Sequence, residues 1–233
     1  MSAEDWAVLD DSLVDVEKGA TNGLGVPNGG GSQIYAFNSM SADQVGAVGL
    51  RCVIADFQPM ASGGRISGCI KRLASGSNTG FSPFLFLAAS GKSVNDSGYL
   101  LGLEDADPYR IVLRKAALIE GIPQTVEGQY LARSSTQFQM SAGLWHHLRL
   151  DVIEQPSGAV TLEVSQNDLS AHPCTTPVWE AIEGMAQFVD DAVGINTGSL
   201  PLIGGYVGYA TAFQESIATR AGFDQIQIFR QVP

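Results

Sequence analysis

Four acidic side chains, Asp96, Glu104, Asp105 and Asp107, fall within one short stretch of this 233-residue chain. Hard cations such as calcium take oxygen ligands from loops of this kind. Asp190-Asp191, close to Asn196, form a second and smaller set. Turns favour Asp and Asn for backbone reasons of their own, so a structural role stands beside the metal one. Calcium is the one cofactor these residues suggest, and otherwise none is expected. His146-His147 invite a metal reading too, but neighbouring strand residues point to opposite faces and cannot share one ion. His172 stands beside Cys174 with no further ligand at zinc spacing. A hydrogen-bonded structural histidine is the reading preferred for each.

Other chemistries are absent at the level of spacing. Gly91-Lys92-Ser93 resembles the end of a phosphate loop, but the glycine that such a loop needs is replaced by Phe86. Gly23-x-Gly25 lacks its third glycine, and no Gly-x-Ser-x-Gly elbow exists. With 13 basic against 24 acidic residues the net charge is −11, which excludes nucleic acid as a partner. The densest basic spots, Lys71-Arg72 and Arg110 with Arg114-Lys115, are expected on solvated strand faces. The longest apolar run, Phe84–Ala89, is far short of the roughly 20 residues that cross a bilayer, so no membrane is expected. The N-terminus carries acids where a secretory signal needs positive charge. Cys52, Cys69 and Cys174 read as thiols made in a reducing compartment, with one disulfide plus a leftover thiol as the alternative.

The elements that must position these residues are strands. Short β-type runs recur at Ile34–Phe37, Val45–Ala55, Arg65–Leu73, Phe84–Ala89, Tyr99–Leu103, Tyr109–Leu118, Trp145–Ile153, Val160–Val164, Tyr206–Phe213 and Phe223–Phe229. Gly, Asn, Asp and Pro clusters separate them, the mark of an all-β sandwich or barrel. Alternation puts Leu144, His146, Leu148, Leu150 and Val152 on one face of the clearest strand. Gln155-Pro-Ser-Gly158 then turns it back into Val160–Val164. One helix is expected over Thr176–Val189, where Trp179, Ile182, Met185, Ala186 and Val189 follow helical spacing after a capping Thr and a Pro. Residues 1–32, with the Gly-rich stretch Gly23–Ser32, read as an N-terminal arm or first strand, and 33–233 as one sandwich domain.

The second half also resembles a known family. Gly143-Leu-Trp145-His146-His147-Leu-Arg-Leu-Asp-Val152, followed by Gly205-Tyr-Val-Gly208 and Phe223-Asp224-Gln-Ile226-Gln-Ile228, is similar to the strand landmarks of concanavalin A-like lectin/glucanase sandwiches, laminin-G-like domains among them. The resemblance implies an all-β, two-sheet antiparallel jelly roll, here with one short helix. Retaining glucanases of that superfamily would carry alternating Glu and Asp on one strand. Glu104-Asp-Ala-Asp107 and Glu180-Ala-Ile-Glu183 are the nearest approaches, and neither matches. No enzyme is expected. The first reading is a structural or assembly protein of a bacteriophage virion, synthesised without a signal peptide and partnered by other virion proteins or its own copies. The alternative is a carbohydrate-binding lectin or adhesin with a glycan partner, and a glycan hydrolase or lyase comes third.

Overall fold

Closely spaced turn formers and period-two apolar patterning fold the chain into antiparallel strands. The computed structural model describes residues 6–8, 14–18, 25–31, 33–37, 48–55, 62–73, 82–89, 97–103, 110–117, 130–135, 143–191, 200–214 and 220–230. Its strands are β1 (Trp6–Val8), β2 (Val14–Lys18), β3 (Gln33–Phe37), β4 (Val48–Ala55), β5 (Gly64–Leu73), β6 (Ser82–Ala89), β7 (Ser97–Leu103) and β8 (Ile111–Ala117). They continue as β9 (Ala132–Arg133), β10 (Trp145–Glu154), β11 (Val160–Asn167), β12 (Trp179–Ala181), β13 (Gln187–Asp190), β14 (Tyr206–Gln214) and β15 (Arg220–Arg230). One sheet runs β1-β4-β14-β6-β7-β8-β9; the other runs β12-β11-β10-β5-β15-β3-β2, with β13 also paired to β11.

The two sheets close on one apolar layer, as a sandwich must. Leu148, Leu150 and Val152 of β10 are buried together there, with Ile66, Ile70 and Phe223 beside them. Leu85, Leu87, Tyr99, Leu101, Leu113 and Tyr209 meet them from the opposite sheet. The expected hairpin forms: Gly158 N–H donates to Gln155 O at 2.9 Å, and Gln155 N–H to Ala159 O at 2.8 Å. Gly158 takes φ +83°, the left-handed position that such a loop reserves for glycine. In β15 a bulge between Asp224 and Gln227 puts Gln225 at φ +53°. Ile226 then packs where a side chain on Gly68 of β5 would stand.

The helix expected over Thr176–Val189 is not formed, and the short helix drops out of the fold class. The segment is β12, a turn and β13, both strands pairing with β11. Ile182 and Met185 are buried, as helical spacing suggested, but a turn produces the same spacing: Met185 N–H donates to Ile182 O at 3.1 Å. Gly184 at φ +85° ends any helical path. The turn's carbonyls serve other segments, Glu183 O accepting Ser135 N–H and Ala186 O accepting Val164 N–H.

The basic pairs expected on solvated faces are buried instead. Lys71, Arg72, Arg114 and Lys115 are 7%, 3%, 5% and 6% exposed. Arg114 lies over the Tyr130 ring at 4.6 Å, with Arg133 over the same ring at 5.4 Å. Lys115 enters the core, where its Nζ is 2.6 Å from Asp190 Oδ2 and 2.8 Å from Leu200 O. The Tyr99 hydroxyl donates to the same carboxylate oxygen at 2.7 Å and accepts Leu202 N–H at 3.0 Å. Burial drives that hydroxyl's pKa well upward. Asp190, a candidate calcium ligand by sequence, is thus committed to a lysine and a tyrosine.

Candidate functional site

At one end of the second sheet a cavity of about 700 Å³ opens between strand ends and two loops. Trp145 begins β10 and, by register, faces Lys71 near the end of β5. The Lys71 ammonium sits 5.7 Å from the indole centroid, a cation–π contact that fixes the ring. Burial lowers the Lys71 pKa. Gln166 at the end of β11 and Glu180 of β12 are register partners and both line the cavity. Val26, 42% exposed, and Leu144, 55% exposed, add apolar surface to it.

The wall formed by the loop 168–178 is held by short hydrogen bonds. Asp168 Oδ1 accepts the Ser170 N–H at 2.8 Å and its hydroxyl at 2.7 Å, an Asx turn that keeps the carboxyl below its ordinary pKa. Asn28 grips the loop from outside: its Nδ2 donates to Leu169 O, and its carbonyl accepts Cys174 N–H, both at 2.8 Å. Asn167 does the same from inside. Its Oδ1 accepts Val178 N–H at 2.9 Å, which directs Nδ2 to His172 O at 3.0 Å and to His147 Nδ1 at 3.3 Å. That arrangement makes His147 Nδ1 an acceptor and leaves the ring proton on Nε2. Burial lowers the His147 pKa to about 4, and the ring packs against Trp179 with centroids 4.6 Å apart. His146 is likewise held to about 4 by burial.

Both histidines are therefore neutral, on opposite faces of β10. Among the described residues no group of three or more His, Cys, Asp or Glu is placed to hold a metal ion. Asp96, Glu104, Asp105 and Asp107 lie outside the described residues. Cys69 and Cys174 are both buried free thiols.

Neither a protein-family model nor any curated protein matches the sequence. Solved structures do match in shape. The Emp47p carbohydrate recognition domain superposes with TM-score 0.55 at 12% identity, over 98% of this chain and 89% of that one. A legume lectin-like domain from Entamoeba histolytica gives 0.55 at 8% identity, over 98% and 91%. The cellulose induced protein Cip1 gives 0.51 at 11% identity, over 98% and 92%. This chain has the concanavalin A-like lectin fold.

Within this lectin-like sandwich the paired carboxylates of a glycanase are not assembled from Glu180 and Glu183. Glu180 lines the cavity, whereas Glu183 sits in the turn that binds Ser135. The lining residues Lys71 and Gln166 carried no sequence signal. Lys71 looked like part of a solvated pair, and Gln166 fell just beyond the strand expected at Val160–Val164. The register pairs Lys71 with Trp145 on the outer face, while Gln166, opposite Leu148, reaches the cavity from its place at the end of β11.

Proposed function

We propose that this lectin-like sandwich is a non-enzymatic carbohydrate-binding module that seats a sugar ring in the cavity beside Trp145. The observation carrying this reading is the lining itself: one cavity at the strand ends bordered by Trp145, Lys71, Gln166 and Glu180. A pyranose has an apolar C–H face and a rim of hydroxyls. The first is served by an aromatic surface and the second by donors and acceptors such as Gln166 and Glu180. Lys71 acts as a positioning residue beneath the indole. Of the two non-enzymatic readings of the sequence, the solved neighbours favour glycan binding over assembly into a virion. They include a carbohydrate recognition domain and a legume lectin-like domain.

The test is a glycan array with the full chain, followed by calorimetry on the best ligand. Trp145→Ala and Gln166→Ala are each expected to weaken binding about tenfold or more, the loss of roughly 1.4 kcal/mol. Their melting temperatures serve as the control for folding. Binding that survives both substitutions, or a chain that retains no glycan at all, would overturn the proposal.

A further inference from the structure

Phe223 of β15 belongs to the core, so Asp224 next to it lies on the outer face of the second sheet, opposite Cys69 of β5. Asp224 is 8% exposed. Its Oδ1 accepts the Gln225 N–H at 2.7 Å, whereas Oδ2 is buried and, among the described residues, has no hydrogen-bond partner. Gly30 covers Oδ2: a Cβ built on that glycine would stand 2.5 Å from it. The Gly30 N–H closes a turn onto Pro27 O at 2.8 Å, and Gly25 and Gly29 take φ +66° and +79°. The same turn lends Gly25, Val26, Pro27 and Asn28 to the cavity and, through Asn28, holds the loop 168–178. A carboxylate buried without a donor is costly, and it either keeps a proton or regains water. We propose that the segment 25–31 is a strap, shut over Asp224 while that carboxyl carries a proton and lifted when it ionises, so that one wall of the cavity answers to pH.

Around Asp224 stand Cys69 and, one row along β5, Lys71, whose ammonium lies over the Trp145 indole. His147 of β10 is opposite Cys69. On the far side β3 brings Tyr35, and the loop 168–178 brings Asp168, His172 and Cys174; the strap itself has no titratable side chain. Burial pushes the Asp224 pKa up to about 6, while an exposed aspartate titrates near 3.9. Between about pH 4 and 6 the shut form therefore keeps a proton that the lifted form has lost. Lifting gains about tenfold per pH unit across that window, roughly a hundredfold in all, and is level above it. His147 gains its proton only as pH falls, so it acts with the opposite sign. A lifted strap takes Val26, Pro27 and Asn28 out of the cavity lining. The consequence for affinity rests on the sugar-binding reading above; the strap itself does not.

The experiment follows amide exchange by NMR in the full chain without ligand, each rate divided by its intrinsic value at that pH. The reporters are the Gly30 N–H, bonded to Pro27 O, and the Cys174 N–H, bonded to Asn28 O. Amides of the β10–β11 pair report global unfolding. Opening at both reporters is expected to rise at least tenfold from about pH 4.5 to 6.5 and then to level off, with no matching rise in β10 and β11. Asp224→Asn, neutral at every pH, should hold both reporters at their slow acid rates. Gly30→Ala, which drives a Cβ against Oδ2, should exchange fast at every pH. If that variant does not fold, the parent and Asp224→Asn profiles decide alone. A flat profile in the parent, the same rise in Asp224→Asn, or a rise shared by β10 and β11 would each overturn the proposal. No sugar enters these readouts, so a failed strap and a failed sugar site are told apart.

Discussion

Replacing Asp190 with Asn removes the countercharge of a lysine ammonium inside the sandwich. The side chains of Lys115 and Asp190 are 2% and 0% exposed, with 2.6 Å between the charged atoms. The substituted amide retains an oxygen for the Tyr99 hydroxyl but cannot neutralise Lys115, which keeps the neutral Leu200 carbonyl as an acceptor. Breaking a buried pair by removing one partner costs about 3–5 kcal/mol, mostly because the other charge stays buried. For a chain of this size each kcal/mol moves Tm by about 2–4 °C, so Asp190→Asn is expected to lower Tm by about 6–20 °C. Urea unfolding followed by tryptophan fluorescence gives the free energy directly, provided the slope with denaturant is unchanged. Lys115→Met combined with Asp190→Leu removes both charges and should recover part of the loss, though it strips Tyr99 of its carboxylate acceptor. A single Asp190→Asn variant within about 1 kcal/mol of the parent would refute the reasoning, since no buried charge could then have been stranded.

His147 is held to about 4 by burial, while an unfolded histidine titrates near 6.5, so the unfolded chain takes up the proton first. Its contribution is intact above pH 6.5 and is lost as pH falls toward 4, with a slope of at most about 1.4 kcal/mol per unit; His147→Gln should flatten the dependence of urea midpoints on pH in that window. Asp224 is pushed up to about 6 by burial, so its folded form gains a proton, and stability, as pH drops through 6. Asp224→Asn should therefore add up to about 3 kcal/mol at pH 7 and almost nothing near pH 4 in the same titration. Gly158→Ala, at φ +83° in open space, should cost about 1 kcal/mol, and Gly184→Ala more, because its Cβ would also lie 3.0 Å from Ser135 N; thermal melts rank the two. Removing residues 1–18 bares the edges of β3 and β4, and light scattering should show a lower Tm with association; an unchanged Tm with lost assembly would instead mark the segment as an attachment arm.

Local signals carried much of the fold. The alternation of Leu148, Leu150 and Val152 located the core face of β10, and Pro156 with Gly158 located its hairpin. The runs starting at Tyr206 and Phe223 placed the last two strands. What failed was non-local. A turn that joins Ile182 to Met185 buries the same pair of positions as a helix, and only the claims of Ser135 and Val164 on its carbonyls decide between them. The basic pairs looked solvated because nothing in their neighbourhood reveals partners such as Asp190, 75 positions from Lys115. The cavity was invisible for the same reason, as Asn28, Lys71, Trp145 and Gln166 share no motif.

The order of the second sheet also governs when the molecule can exist. Its central pair joins β5, from the first third of the chain, to β15, which comes last, and β15 in turn carries β3 and β2. A chain emerging from the ribosome can zip β10 to β11 early, since one tight turn connects them. Among the described residues β3 pairs only with β2 and β15, so that half of the sheet gains its link to β5 only when residues 220–230 arrive. Closure over so long a loop is slow compared with hairpin formation. Translation products lacking β15 should accordingly be recognised by chaperones and proteases as unfinished, whatever the state of the hairpins already made.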